Sequence, residues 1–251
     1  MIDFHTHVLP RLDDGAKDSR AALAILQNEK QQGVTCVLCT SHYYGKKYAP
    51  EQFLTRRNAA YARIKEEVPE GVSLRLGAEV HFTGVNVAEY DELRRLCIEG
   101  TDYILIEFPF MQKWSGELFN RLADFMAETD CVPIIAHVER YREVLKNPAI
   151  INELLAMGCL LQVNTSAFLN RREKSLAFAL LRRNAVHCIG TDAHDEGTRA
   201  PNWTETKAAI EKAGLLKEFE GVQQTMSRIL ANERVEVGLV PPIKKLFGKY
   251  R

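Results

Sequence analysis

Short, almost continuously apolar runs recur along the chain, and between them apolar residues fall at helical spacing. The runs that read as strands are Ile2–Phe4, Val34–Cys39, Ser73–Ala78, Tyr103–Ile106, Val132–Ala136, Cys159–Val163 and His187–Gly190. Asp18 and Ser19 start the first intervening helix, and Gly33 stops it as a left-handed cap residue would. Pro50 opens the second, whose apolar face is predicted through Leu54, Tyr61, Ile64 and Val68. Further helices are predicted over Ser115–Thr129, Pro148–Met157, Arg172–Asn184, Thr204–Ala213 and Glu220–Ala231. Strands alternating with helices imply a parallel sheet, and strands apolar on both faces favour a closed or nearly closed α/β barrel. An open doubly wound sheet is the alternative, but neither of the usual glycine-rich nucleotide motifs is present. No linker-like stretch divides the 251 residues, a length that a single α/β barrel fills, so one domain is expected.

Charge and composition narrow the function. Lys plus Arg and Asp plus Glu both number 33, a balance that argues against a broad nucleic-acid surface. No apolar run is long enough to span a membrane, and the N-terminus does not read as a targeting segment; a cytoplasmic protein is expected. The six cysteines then read as reduced thiols. Cys36 and Cys39 form a C-x-x-C, but their offset of three along a strand sends them to opposite faces, so they read as small buried hydrophobes.

The chemistry lies where the strands end. His5-Thr6-His7 follows the first strand, Thr40-Ser41-His42 the second, and Glu79, Glu107 and His137 end the third, fourth and fifth. Asp192 and His194 follow the seventh, and Asp14 sits in the loop after the first. In α/β barrels this rim is where side chains from different strands converge. His5 and His7 are two apart, as are Asp192 and His194, so on extended backbone each pair points one way and can grip one ion. Imidazole mixed with carboxylate suits zinc, manganese or iron rather than calcium. So many donors exceed the needs of one ion, and two or three ions about 3.5–4 Å apart, bridged by a carboxylate, are expected. His81 and His187 are left outside the set: His81, two past Glu79, as a surface or packing residue with support of the ligands as the alternative, His187 as a structural residue at the far end of its strand.

As a set, H-x-H at 5–7, T-S-H at 40–42, G-A-E at 77–79, E-F-P at 107–109, H-x-E-R-Y at 137–141 and T-D-A-H at 191–194 resemble the PHP (polymerase and histidinol phosphatase) superfamily. Within it, the stretches Leu9–Gly15 and His137–Tyr141 look like the bacterial tyrosine-protein phosphatases of the CpsB/CapC/YwqE type, which accompany capsule and exopolysaccharide loci. The resemblance implies a distorted (β/α)7 barrel carrying three metals, commonly manganese, with iron or zinc as alternatives. By matching motif, one ion falls to His5, His7, Glu79 and Asp192, and a second shares Glu79 and adds Glu107 and His137. The third takes Asp14, His42 and His194. Arg140 and Arg199 correspond to phosphate-contacting arginines. One departure is Val138, where the family usually has proline; altered loop stiffness is expected from it.

The expected activity is hydrolysis of phosphotyrosine, on a partner protein such as a tyrosine autokinase that controls capsule synthesis, by a metal-activated hydroxide. Bound metal lowers the pKa of water to about 7 and clamps the phosphoryl oxygens, while arginines add bidentate donors. A cysteine phosphatase is excluded, because no arginine stands six residues after any of the six cysteines. A small-molecule phosphatase of histidinol-phosphatase type and a noncatalytic kinase-binding module are the rival readings. Tyr43, Tyr44, Tyr48, Phe110 and Trp114 are candidates for an aromatic rim that admits a protein-borne ring. Residues 241–251 read as a flexible basic tail, with contact to an acidic partner or the inner membrane leaflet near a kinase as the alternative.

Overall fold

A computed structural model describes residues 1–83, 90–110, 114–246 and 249–250. The strands are β1 (Ile2–Thr6), β2 (Cys36–Cys39), β3 (His42–Tyr43), β4 (Ser73–Leu76), β5 (Glu79–His81), β6 (Tyr103–Glu107), β7 (Val132–Ile135), β8 (Leu160–Asn164) and β9 (Cys188–Gly190), with a short pair β10 (Lys245–Leu246) and β11 (Lys249–Tyr250) near the end. The helices are α1 (Ser19–Gln31), α2 (Pro50–Ala62), α3 (Tyr90–Arg94), α4 (Gly116–Thr129), α5 (Arg142–Lys146), α6 (Ile150–Ala156), α7 (Lys174–Leu181), α8 (Trp203–Lys212) and α9 (Leu216–Leu230).

The fold is mixed α/β around a curled parallel sheet. β1, β2 and β4 pair in that order, and β3, β5, β6, β7, β8 and β9 continue it. The two groups are joined through the chain itself: β2 runs on into β3 across Thr40-Ser41, and β4 into β5 across Gly77-Ala78. Both second- and third-run strands are thus interrupted at the same level, with Glu79 N–H donating to the carbonyls of Thr40 (3.0 Å) and Ser41 (3.1 Å). At the other margin the last strand returns to the first. Asp192 N–H donates to His5 O (2.7 Å), His7 N–H to Ala193 O (2.9 Å), and Thr6 bridges Ala193 in parallel. Gly190 is required at this seam, since a Cβ there would come within 2.5 Å of the His5 backbone nitrogen.

Helices form where capping and burial agree. Asp18 Oδ1 accepts the Ala21 N–H (2.9 Å) to start α1, and Gly33 at φ +86° ends it. α2 turns a different face inward from the predicted one, burying Pro50, Phe53, Arg57 and Ala60. Arg57 is the reason: its guanidinium donates to Gly77 O (3.1 Å), so a charged residue occupies the inner stripe. Ile64 and Val68 lie beyond the helix end. α3 and α5, each of five residues, are too short to show a period in the sequence.

In the C-terminal segment, β10 and β11 pair antiparallel, and the buried Tyr250 donates its hydroxyl to Leu145 O (2.5 Å). Phe247, Gly248 and Arg251 of that segment lie outside the described residues. All six cysteines are free thiols, with Cys39 buried and Cys36 half-buried.

Candidate metal centre

The strand ends deliver eight of the nine candidate ligands to one place in the mouth of the curled sheet, and the loop after β1 brings Asp14. Glu79, at the start of β5, is fully buried and sits at the middle. Its Oε2 lies 3.3 Å from His5 Nε2, 3.3 Å from His7 Nε2 and 2.9 Å from His42 Nδ1, and its Oε1 is 2.8 Å from His137 Nε2. His5, His7 and Asp192 form one group whose donor atoms lie within 4.8 Å of one another; His7, Asp14, His42 and His194 form a second, and His42, Glu79 and Glu107 a third. His7 and His42 thus each belong to two groups. Asp14 reaches in from the loop, its Oδ1 3.6 Å from Nε2 of both His42 and His194.

Two backbone distortions help. His137 (φ +33°) and Asp192 (φ +55°) both occupy the left-handed region, which non-glycine residues adopt at a cost. Each turns its side chain inward directly after a strand. Gly15 serves the same loop from outside: a Cβ there would lie 2.0 Å from His7 O, so only glycine lets the Asp13-Asp14 turn close over β1.

The donor set fits cations better than it fits itself. His5 and His7 present Nε2 to Nε2 at 3.1 Å, an approach that needs a proton or a cation between two lone pairs. His42 Nδ1, Glu79 Oε2 and His194 Nε2 are buried without a sound hydrogen bond despite their short separations, so they point at shared space rather than at each other. Burial opposes charge throughout, yet the imidazoles of His5, His137 and His42 hold the Glu79 carboxyl well below its usual range. Burial likewise lowers the His7 pKa, but Asp13, Asp192 and Glu79 together outweigh it and raise that ring well above its ordinary value.

Arg140 and Arg199 stand on either side of Asp192. Arg140 Nη1 is 3.0 Å from Oδ2, and Arg199 Nη2 is 2.9 Å from Oδ1. Arg199 is placed by a tight turn in which Asp195 Oδ1 accepts the N–H groups of Gly197 (2.6 Å) and Arg199 (3.0 Å), while His194 N–H donates to Arg199 O (3.0 Å). Arg140 lies over the Phe110 ring at 4.9 Å. Of the aromatic residues expected at the rim, Phe110 packs on His137 and Tyr44 on His42 and His81. Tyr43 and Trp114 turn inward instead. Tyr43 follows His42 on a strand and so takes the opposite face, against Phe53, while Trp114 packs on Phe108 and Tyr141. Tyr48 lies under Arg56.

Several contributing residues carry no signal that the sequence reading used. Asp13 Oδ2 holds His7 Nδ1 (2.7 Å) and accepts the His42 N–H (2.8 Å). Gln162 Oε1 meets His5 Nδ1 (3.2 Å) and accepts the His137 N–H (2.6 Å). Asn164 Nδ2 donates to Asp192 Oδ2 (3.0 Å). The alternation along β8 was available as a signal: Gln162 and Asn164 share the face that looks into the site, two polar residues in an apolar strand. His81, left outside the set, comes within 3.0 Å of Glu107 Oε2. His187 lies at the start of β9, where its Nδ1 accepts the Leu161 N–H (3.1 Å).

Comparison with known proteins places the chain in a family. The family model for capsular polysaccharide synthesis, CpsB/CapC, matches residues 1–228. Tyrosine-protein phosphatase YwqE of Bacillus subtilis (strain 168) is 29% identical across 99% of both chains. Tyrosine-protein phosphatase CpsB of Streptococcus pneumoniae is 28% identical over 84% of this chain and 90% of its own. A crystal structure from work on YwqE of Bacillus subtilis and CpsB of Streptococcus pneumoniae, described as unique metal-dependent tyrosine phosphatases, superposes with a TM-score of 0.82 at 27% identity. That match covers 97% of this chain and all of the other. The chain therefore belongs to the CpsB/CapC family of capsular polysaccharide synthesis.

Proposed function

We propose that this protein is a metal-dependent protein-tyrosine phosphatase. The observation that carries the reading is the convergence of His5, His7, Asp14, His42, Glu79, Glu107, Asp192 and His194 into three donor groups, with His137 on Glu79 and with Arg140 and Arg199 both at Asp192. The names of the relatives support it. We assign those nine residues as ligands of two to three divalent ions, manganese first, and the two arginines as phosphate-binding residues. When bound, such ions supply a water activated near neutral pH and positive charge for the transferring phosphoryl group.

The protein's own part is orientation and charge. Arg140 and Arg199 offer forked donors to the non-bridging phosphoryl oxygens, and their shared partner Asp192 keeps both aimed into the site. Asp13 and Gln162 fix the rings of His7, His5 and the backbone of His137 by hydrogen bonds to the atoms that face away from the donor groups. Tyr44 and Phe110 flank the mouth, where a phenyl ring borne by a protein chain can enter between them. A phenolate leaves with a pKa near 10, so the site needs no strong general acid.

We read the curled sheet as the seven-unit (β/α)7 barrel of the PHP type and the chain as one domain; the seam from β9 to β1 supports this. The substrate is then a phosphotyrosine protein such as a tyrosine kinase of capsule synthesis, met in the cytoplasm. Among the described residues no helix is long and apolar enough to cross a membrane, so a membrane position would come through the kinase. The test is phosphate release from a phosphotyrosine peptide, beside histidinol phosphate, by chelator-stripped protein with and without Mn²⁺. Peptide turnover restored by metal is the expected result. Turnover of histidinol phosphate alone would overturn the substrate and keep the metal centre.

A further inference from the structure

A cavity of about 230 Å³ opens beside the metal centre, between the loop from β8 to α7 and the loop from β9 to α8. Arg140, Arg199 and Asp192 form the side it shares with the phosphate-binding arginines, and Asn164, Ser166, Asn170, Glu173, Thr198 and Asn202 line the rest. It is smaller than the usual small-molecule cleft of about 300–1,000 Å³, a size suited to one residue of a chain.

Its two walls differ in hydrogen-bonding character. Asn202 stands at the N-cap of α8, where an asparagine ordinarily accepts a helix N–H, yet its side chain makes no such bond. Gln32, just past the end of α1, takes that role: its Oε1 accepts the Thr204 N–H at 2.9 Å, while its Nε2 donates to Asn28 Oδ1 (2.7 Å) and Pro201 O (2.9 Å). Asn202 is thereby left without a capping role; it lines the cavity, and its buried Oδ1 has no hydrogen-bond partner. A buried acceptor left unsatisfied is costly and calls for a ligand or a functional reason. Glu173 lines the same cavity with no hydrogen bond or close ion pair to its carboxylate among the described residues. Burial raises its pKa, against the pull of Arg140 and Arg172. One wall therefore donates, through two guanidinium groups, and the other holds two acceptors, Asn202 Oδ1 and the Glu173 carboxylate, that have no donor among the described residues.

A phosphoryl group brings acceptors and satisfies the first wall. The second wants N–H, which a peptide carries and a bare aryl phosphate does not. We propose that this cavity is a substrate subsite in which Asn202 and Glu173 accept N–H donors from a residue flanking the phosphotyrosine, a proposal that rests on the phosphatase reading above. The donor is either the main-chain amide or a lysine side chain, which share that chemistry.

The experiment compares manganese-loaded wild type with Asn202→Leu, Glu173→Ala and Asn202→Asp on three substrates: p-nitrophenyl phosphate, a phosphotyrosine peptide flanked by alanine, and one flanked by lysine. For peptides, Asn202→Leu and Glu173→Ala raise KM about tenfold, the worth of one lost buried hydrogen bond, with kcat within about twofold. Kinetics on p-nitrophenyl phosphate stay unchanged, and Asn202→Asp, which keeps an acceptor, behaves as wild type. Loss on both peptides assigns the main-chain amide, and loss on the lysine peptide alone assigns the side chain. Equal changes on all three substrates, or none on either peptide, would overturn the subsite. Calorimetric binding of the same peptides carrying a phosphonate analogue of phosphotyrosine gives a readout that does not need turnover. A wild type that hydrolyses nothing sinks the phosphatase reading, while tenfold weaker analogue binding by Asn202→Leu still sustains the subsite. A wild type that binds neither analogue peptide ends the proposal.

Discussion

Glu79 meets four imidazoles with two oxygens, and no other side chain in the site could do so from its position at the start of β5. Glu79→Gln keeps the shape and removes the charge that offsets those rings. It is expected to lower both bound metal, measured by elemental analysis, and phosphatase turnover by more than about 100-fold, beyond the range for outer partners of metal ligands. Gln162 is such an outer partner. Gln162→Leu frees the His5 ring and leaves the buried His137 N–H without its acceptor. Metal affinity should fall about 10–100-fold, read by chelator competition, with an accompanying stability loss of about 1–3 kcal/mol. The candidate ligands were legible in the sequence because histidine and carboxylate at successive strand ends are a rare coincidence. Gln162 was legible only as a polar residue in an apolar strand, and Asp13 not at all, because each becomes a partner only once another strand places a ring beside it.

At the scale of elements, the parallel strands were legible for a simple reason: burial on both faces makes each a continuous apolar run. The interruptions at Thr40-Ser41 and Gly77-Ala78 were not, since they are set by hydrogen bonds between neighbouring strands rather than by local preference. The inward face of α2 was misread because the buried guanidinium of Arg57 stands where an apolar residue would be expected. Two strand-level tests follow from β9. Gly190→Ala drives a methyl into the His5 backbone, and the strand must shift away from β1. A stability loss of about 1–3 kcal/mol is expected from the urea midpoint, together with reduced metal content. His187, at the other end of β9, is buried with its pKa lowered by burial from 6.5 to about 4. The unfolded chain therefore takes up a proton that the folded one refuses, and stability present above pH 6.5 drains away as pH falls toward 4. The difference is roughly 3 kcal/mol at full effect. His187→Gln, which can still accept the Leu161 N–H, should flatten this acid loss when urea midpoints are compared at pH 7 and pH 4.5.

For the molecule as a whole, metal and fold are linked. Like-signed and lone-pair-bearing groups are packed together in the interior, so ions that bind only the folded chain stabilise it by mass action, about 2.7 kcal/mol per site at 100 times Kd. Chelation should lower the melting temperature by roughly 5–10 °C for each site emptied, and added Mn²⁺ should restore it, as read by circular dichroism. The seam described above places a further demand on this linkage. His5 and His7 lie at the end of β1 and Asp192 and His194 follow β9, nearly two hundred residues apart, and they come together only where β9 meets β1. A nascent chain leaves the ribosome N-terminus first, so its first two histidines wait through nearly two hundred residues for their counterparts. Until β9 emerges, the groups that include Asp192 or His194 cannot be completed. Metal loading of those groups thus waits for β9, and hydrolytic competence arrives with that strand rather than growing as the chain is made.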